Sequence, residues 1–457
     1  MWSRTMEPMR LAGCIVPSVN LSIQISGELF SGEKFMTTRK LILLMLATAA
    51  IGFMAGTIVV SRMILVQAQV KPGYGIAALA GQRVGQDVDG PYDVDPNWPK
   101  PITALPGHEK WTYGAVESVY AENPNRVFIL ERGEIPNLKR PEEIPYPSVG
   151  PSISFPVAQV PWRNASVGPV TSAGNPVWSG NIGVDARWEH CIVVVDANGN
   201  IIEDWTKWDK MLRRPHFITI NPYDPEKHVW VVDDQGHAVY EFTHDGKELV
   251  KTLGTPYQSG DDEKHFNRPT FINWLPDGTM FVTDGYGNTR VVKFDKDGNY
   301  LMTWGQPSKP PDDTRPSTFH DVHGVVFDVP RHRVLVTDRS DHRIEIFDEN
   351  GKFLDQWTTG KPSTPQFLYK AADGFLWIAD GSTAKIIKFD MNGHLLYEWG
   401  SGGDWPGALW NVHGMSVDQD GNLYLAEVNN GRAEKFRPRK GANPDLVVGK
   451  PVYAAWK

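Results

Sequence analysis

The chain has very few cysteines. Its 457 residues contain two, Cys14 and Cys191. Cys14 precedes an apolar N-terminal segment, so Cys191 is the single cysteine in the rest of the chain. That part cannot form an internal disulfide, and its stability must come from a packed core.

The sequence also lacks the signatures of several enzyme classes. It contains no GxSxG motif, no P-loop and no dinucleotide-binding glycine motif, so nothing indicates a serine nucleophile or a nucleotide cofactor. Its net charge of −8, with 22% charged residues, is an ordinary acidic balance. Because a nucleic-acid interface needs a basic surface, we expect no nucleic-acid partner.

One long apolar run is present near the N-terminus. It covers 41–60 and follows the basic pair Arg39 and Lys40. A helix of this length would extend about 30 Å and could cross a bilayer. We assign 36–68 to a signal peptide or an uncleaved membrane tether, and 1–35 to an uncertain N-terminal extension. In either case we predict an exported protein, periplasmic, extracellular or anchored with its main domain outside the cytoplasm.

A phrase of strand, tight turn and strand recurs along the rest of the chain. Three of its copies are VKFDKDGNYLMTWG (292–305), EIFDENGKFLDQW (345–357) and IKFDMNGHLLYEWG (387–400). Asp-Gly and Asn-Gly turns favour β-hairpins because both turn residues must accept positive φ. Acidic residues recur at intervals of 42–54 residues: Asp233, Asp284, Asp338, Asp380 and Glu427. A period near 40–50 residues with four strands per unit is typical of a β-propeller.

We therefore predict an all-β, six-bladed β-propeller of NHL-like repeats over residues 112–440. Its first unit is degenerate and contains a Pro-, Gly- and Ser-rich insertion at 135–188, long enough to suggest a lid over one face. Residues 69–111 are expected to form a linker and 441–457 a C-terminal tail. We expect a monomer.

Histidines open the first strand of alternate units. The motifs RRPHFITINP, DVHGVVFDVP and NVHGMSVDQDG place His216, His323 and His413 at equivalent positions, 107 and 90 residues apart. The units between them carry Thr270 and Gln366 there. Because the first strand of each blade lines the central channel, the three imidazoles should meet near the axis. One such histidine is usually a packing residue, but three would form an open tris-histidine site of the kind that catalytic zinc uses.

These motifs are similar, over about residues 112–437, to those of the peptidyl-α-hydroxyglycine α-amidating lyase family, six-bladed propeller enzymes of peptide amidation. The resemblance implies that the three histidines bind Zn²⁺. In FVTDGYGNTR, Tyr286 matches the family's catalytic tyrosine. In VLVTDRSDHR, Arg339 matches an active-site arginine, and in FILERGE, Arg132 matches a second arginine that contacts the substrate.

The resemblance implies a carbon–nitrogen lyase. The family reaction cleaves the N–Cα bond of a peptidyl-α-hydroxyglycine and gives a peptide amide and glyoxylate. Tyr286 would take the hydroxyl proton. Arg132 or Arg339 would hold the carboxylate that leaves as glyoxylate, because a guanidinium fork matches a carboxylate. The expected partner is a small-molecule or peptide substrate.

The chain departs from the family pattern at three positions. Gly414 follows the third histidine where the family has an aspartate that binds calcium, so the resemblance does not extend to that calcium ligand. Asn411 replaces a methionine near the substrate, and Gly287 replaces a cysteine of the family disulfide. The scaffold and the histidines are kept, while the substrate is left open.

Two other functions remain open. A non-catalytic NHL-repeat propeller that binds a protein or ligand at the cell envelope would need no metal, and a fold does not by itself fix a function. A lactonase-like hydrolase would share the architecture. Its metal site is built from carboxylates and asparagine, however, and the three histidines argue against it.

Overall fold

The structure is a computed structural model that describes residues 90–137, 187–309 and 313–453. It also describes four short strands of the insertion: Glu143–Pro145, Ser154–Pro156, Ser166–Val170 and Pro176–Ser179. The predicted N-terminal extension and the signal peptide or tether lie outside the described residues. In the described part, no helix is long and apolar enough to cross a membrane.

Six four-stranded antiparallel sheets surround a central axis, and their innermost strands form a closed ring. From the axis outward, blades 1 to 3 consist of Val116–Asn123, Arg126–Glu131, Ile192–Val195 and Ile201–Asp204; Pro215–Ile220, Val229–Asp233, Ala238–Phe242 and Leu249–Leu253; and Pro269–Trp274, Met280–Asp284, Arg290–Phe294 and Tyr300–Trp304. Blades 4 to 6 consist of Val322–Asp328, Arg333–Asp338, Arg343–Asp348 and Phe353–Thr358; Pro365–Lys370, Leu376–Asp380, Lys385–Phe389 and Leu395–Trp399; and Val412–Val417, Leu423–Glu427, Arg432–Pro438 and Tyr92–Asp95. The prediction of an all-β, six-bladed propeller is confirmed.

Smaller elements connect the blades. Trp111–Tyr113 pairs with Glu134–Pro136, and Gln306–Pro307 pairs in parallel with Thr318–Phe319. The strands within the insertion pair in two ribbons, Glu143–Pro145 with Ser154–Pro156 and Ser166–Val170 with Pro176–Ser179. The helical elements of the described part are short 3₁₀ turns: Ile102–Ala104, Thr206–Trp208, Val329–Arg331 and Pro444–Leu446.

Burial explains why the strands differ in sequence pattern. The second strands Val229–Asp233 and Met280–Asp284 are buried along their whole length. Each is covered on both faces by neighbouring blades, so continuous apolar runs are favoured. The outer strands Ile201–Asp204 and Tyr300–Trp304 alternate between more and less exposed residues, because one face of an outer strand meets water.

Part of the predicted linker belongs to the propeller. Tyr92–Asp95 pairs with Arg432–Pro438 and forms the outer strand of blade 6. Tyr92 is fully buried, and its hydroxyl accepts a hydrogen bond from the backbone N–H of Val448 at 2.7 Å. Val448, in the predicted tail, is buried as well. Tyr92–Asp95 therefore covers the edge of Arg432–Pro438, which would otherwise expose unpaired backbone groups.

Candidate metal centre

His216, His323 and His413 meet on the axis of the propeller. Each is the second residue of the inner strand of its blade, and their exposures are 0%, 0% and 3%. Their ring centroids lie 4.6 to 5.0 Å apart. The sequence-based expectation that alternate blades bring three imidazoles together agrees with this arrangement.

A register shift near the second residue of every inner strand aims these side chains at the axis. The shift falls between residues 215 and 217 in blade 2, 322 and 325 in blade 4, and 412 and 414 in blade 6. The other three blades have an equivalent shift. A β-bulge redirects a side chain in this way and is a common device next to functional sites.

Each imidazole is oriented by the next blade. Its Nδ1–H donates to a backbone carbonyl at the bulge of that blade: His216 to Thr270 at 2.7 Å, His323 to Gln366 at 2.6 Å and His413 to Glu117 at 2.8 Å. This bond places the proton on Nδ1 and leaves the Nε2 lone pair free to bind a metal ion.

The spacing of the free nitrogens fits a tetrahedrally coordinated metal ion. Nε2 of His323 and Nε2 of His413 are 3.2 Å apart, and the ligand atoms of all three histidines lie within 4.8 Å of one another. Two nitrogens bound to one tetrahedral zinc ion at about 2.0–2.1 Å would be separated by about 3.3 Å.

The histidines are held in the neutral form that binds metals. Burial is the main cause that lowers the pKa of His413 to about 3. Burial also places the pKa values of His216 and His323 well below the usual range, and neighbouring arginines and histidines lower them further. The imidazoles therefore stay unprotonated near neutral pH, as metal binding requires.

Tyr286 contacts the triad directly. Its hydroxyl oxygen lies 3.0 Å from Nε2 of His216 and 2.9 Å from Nε2 of His323. Nη1 of Arg339 donates to the same oxygen at 3.0 Å. Tyr286 and Arg339, both predicted as catalytic, thus lie together at the mouth of the channel.

The turn that carries Tyr286 depends on a glycine. A Cβ atom on Gly285 would lie 1.7 Å from the carbonyl oxygen of Val322, on the inner strand of blade 4. The neighbour is backbone, so it could not move aside as a flexible side chain would. Gly285 therefore allows the turn of blade 3 to approach blade 4 and places Tyr286 over the triad.

Arg132 lies deeper than the other predicted residues. Its side chain is 1% exposed, and Nη1 pairs with Oε1 of Glu117 at 2.7 Å. Nη2 lies 3.5 Å from Oδ2 of Asp234. Burial lowers the pKa of Arg132 to about 10. This arginine is already engaged by two carboxylates, so a substrate carboxylate could bind it only by displacing one of them.

Two arginines at this mouth were missed by the sequence reasoning. The guanidinium carbons of Arg268 and Arg214 lie 4.8 and 6.0 Å from the ring centroid of Tyr286, and that of Arg339 lies at 5.0 Å. Arg268 is the most exposed, at 34%, and its Nε donates to Asp234 at 3.3 Å. The sequence signal for both is an Arg-Pro pair at the start of the inner strands of blades 2 and 3.

The site is rich in guanidinium groups. Arg132, Arg214, Arg268 and Arg339 surround the site, and their carboxylate partners are Glu117, Asp234 and Asp321. These groups provide charged hydrogen-bond donors above the triad, which suit an anionic ligand.

The surroundings of Gly414 and Asn411 show how the chain differs from the family pattern at these two positions. A Cβ atom on Gly414 would lie 2.9 Å from the backbone Cα of Ser118, so an aspartate would not fit there without a backbone shift. Asn411 accepts a hydrogen bond from Gln366 Nε2 at 3.0 Å, and Gln366 Oε1 accepts one from Arg339 at 3.2 Å. A polar chain therefore extends from Arg339 to the position where the family has methionine.

Phenylalanines close the channel below the histidines. Phe217, Phe271 and Phe367 pack with ring centroids 4.5 to 5.9 Å apart. They also line an apolar cavity of about 380 Å³ on the side away from the histidines. This layer separates the polar mouth from that cavity.

Fold and site together define a six-bladed propeller with a buried tris-histidine centre under a tyrosine. No family model matches the chain. It is 32% identical to peptidyl-alpha-hydroxyglycine alpha-amidating lyase 1 of Drosophila melanogaster over 274 residues, 54% of this chain and 48% of the relative. It is 26% identical over 257 residues to a probable lyase of the same name from Caenorhabditis elegans, 54% of this chain and 69% of the relative.

The name of a third relative describes its repeats and states no reaction. NHL repeat-containing protein 3 of Mus musculus is 30% identical over 260 residues, 52% of this chain and 70% of the relative. The chain belongs to the family of NHL repeat-containing protein 3, and it is similar to peptidyl-α-hydroxyglycine α-amidating lyases. It spans about half the length of the fly lyase.

Proposed function

We propose that this protein is a metal-dependent lyase. Its reaction would cleave the N–Cα bond of a hydroxyglycine-type substrate to give an amide and glyoxylate. The observation that carries the proposal is the contact of Tyr286 with Nε2 of two triad histidines, at 3.0 and 2.9 Å. The similarity to named amidating lyases supports the same reaction.

Zn²⁺ is the metal that we propose for the triad. When bound, it would act as a Lewis acid on a substrate oxygen. Three neutral imidazoles with oriented Nε2 atoms are a common ligand set of catalytic zinc sites, which keep one position for water or substrate. We propose no calcium ion, because the position of the family aspartate is filled by Gly414.

Tyr286 is proposed as the base. Its oxygen would accept the proton of the substrate hydroxyl while the carbon–oxygen double bond of glyoxylate forms. The N–Cα bond breaks in the same process, and the amide nitrogen takes up a proton. Only the phenolate form of Tyr286 can accept this proton; Arg339 donates to the tyrosine oxygen at 3.0 Å and would stabilise that form before the transfer.

The arginines are proposed to hold the carboxylate of the substrate. Arg339 and Arg268 lie against the ring of Tyr286 and are reached from the mouth. A carboxylate bound there would lie beside the reacting carbon, as the substrate class requires. Arg132, the other predicted residue, would add positive charge from beneath and would contact the carboxylate only by leaving Glu117.

The cellular setting is proposed from the sequence. Residues 41–60 would act as a signal peptide or a membrane tether, so the propeller would be exported or held outside the cytoplasm. There it would act as a monomer on a small-molecule or peptide substrate.

A second candidate function is a binding propeller without catalysis at the cell envelope. The similarity to NHL repeat-containing protein 3, whose name states no reaction, favours it. A glyoxylate-release assay with an N-acyl-α-hydroxyglycine separates the two candidates. The lyase requires zinc-dependent glyoxylate release that Tyr286→Phe strongly slows, whereas a binding propeller releases no glyoxylate.

A further inference from the structure

A second group of metal-type side chains lies at the root of the insertion. It consists of His108, Glu134, Glu189 and His190, whose ligand atoms lie within 4.8 Å of one another. His108 precedes the strand Trp111–Tyr113, whereas the other three flank the two ends of the insertion. None of them belongs to the triad or to the mouth above it.

Glu134 is the centre of this group. Its side chain is fully buried, with Oε2 2.8 Å from Nδ1 of His108 and Oε1 2.6 Å from Nδ1 of His190. The two rings meet edge to face with centroids 4.7 Å apart. Each oxygen of one buried carboxylate therefore meets an imidazole from a different chain segment.

The buried carboxylate needs a positive partner. The guanidinium of Arg187 stays at the edge of contact with Glu134, with Nη1 3.9 Å from Oε2, while Nη2 of the same arginine bonds to Glu189 at 2.7 Å. Neutral imidazoles donate hydrogen bonds but supply no charge, and an uncompensated buried anion is costly. Either an imidazole is protonated or a cation binds here.

The backbone holds this group in place. Glu134 and Arg187 exchange two backbone hydrogen bonds, at 2.7 and 2.8 Å, so both ends of the insertion are fixed side by side. The N–H of His190 donates to Oδ2 of Asp209 at 2.9 Å. A ligand would therefore meet donors that are already oriented, which lowers the entropy cost of binding.

We propose that these four residues bind a second divalent metal ion of the zinc class. Two imidazoles and two carboxylates are ligands that zinc accepts, and four protein ligands are the mark of a structural site. The side chain of Glu189 is 45% exposed and can move to complete the coordination. The ion joins the segment before Trp111 to both ends of the insertion, so it fixes the insertion on blade 1.

A variant without the central triad tests the proposal. The full chain with His216→Ala and His323→Ala is loaded with zinc, dialysed against a weak chelator and analysed for metal. We expect one zinc per chain, lost when His108→Ala is added. If the triad variant is folded, as shown by a native circular dichroism spectrum, but retains no zinc, the proposal is wrong. It is also wrong if zinc stays bound after His108→Ala is added.

A more conservative substitution tests the same site in case His108→Ala does not fold. Glu189→Gln changes a half-exposed residue, and Glu226→Gln, at a side chain that is 76% exposed, is its matched control. With cobalt in the triad-free background, Glu189→Gln should change the visible spectrum and Glu226→Gln should not. Identical spectra would overturn the proposal. His108→Ala in the otherwise native chain should keep the triad metal and glyoxylate release. The proposal of a second metal site and the proposal of the lyase function can therefore be refuted independently.

Discussion

Replacing Tyr286 by phenylalanine tests the proposed base. The substitution removes one oxygen and with it the contacts to His216, His323 and Arg339, each between 2.9 and 3.0 Å. The ring stays, and so does its packing against the arginines. The change therefore isolates proton transfer from substrate binding and from metal binding.

The expected fall in kcat follows from the proposed role of Tyr286 as the base. A positioned acid or base contributes about 10²- to 10⁴-fold to rate, which is about 2.7–5.4 kcal/mol of the activation barrier at 1.36 kcal/mol per decade. We expect kcat for glyoxylate release to fall by that factor. KM should change little, because the arginines that would hold the carboxylate are intact. Metal content should also be unchanged, because the three Nε2 ligands remain.

The assay is steady-state glyoxylate release with metal analysis of the same samples. Tyr300→Phe is the matched control, since Tyr300 lies on the outer strand of the same blade. A kcat within about threefold of the native value would remove Tyr286 as the base. A parallel loss of metal would instead make the tyrosine a part of the metal site.

Three further substitutions test the surroundings of the triad. Gly285→Ala should displace the turn that carries Tyr286, because the new Cβ would lie 1.7 Å from the Val322 carbonyl oxygen. We expect the unfolding free energy to fall by about 1–3 kcal/mol and kcat to fall while the metal is retained. Unchanged stability and an unchanged kcat would contradict this expectation. Arg268→Ala should raise KM about 10- to 100-fold for a substrate with a carboxylate and leave KM for its amide analogue unchanged, whereas equal effects on both would exclude the contact. Arg132→Ala should lower the unfolding free energy by about 3–5 kcal/mol, because Glu117 is left buried without its partner. A loss of activity at unchanged stability would make Arg132 a substrate-binding residue alone.

The repeat explains why the architecture and the triad could be predicted. A strand that begins with histidine recurs in register, and the six inner strands are equivalent, so equal offsets place His216, His323 and His413 at equivalent depth. The hydrogen bonds that orient them could not be predicted. They run from each imidazole to the backbone of the next blade. Every residue has a backbone carbonyl, so the residue type does not indicate which carbonyl accepts the bond.

Other features depend on contacts between segments that are distant in the chain. Tyr92–Asp95 is four residues long, too short for strand alternation to separate it from a loop. Arg132 was predicted as an arginine that contacts the substrate, and its pairing with Glu117 and Asp234 could not be predicted because it requires the closed ring. Glu134 and His190 are 56 residues apart and meet only because the two ends of the insertion lie side by side.

Metal analysis of the native protein beside His323→Ala decides whether the triad binds zinc. His394→Ala, at a side chain that is 75% exposed, is the control. If the triad binds zinc, His323→Ala loses one equivalent of zinc relative to the native protein and the control, and it loses glyoxylate release as well. Equal zinc in all three proteins would show that the triad holds no metal and would contradict the account.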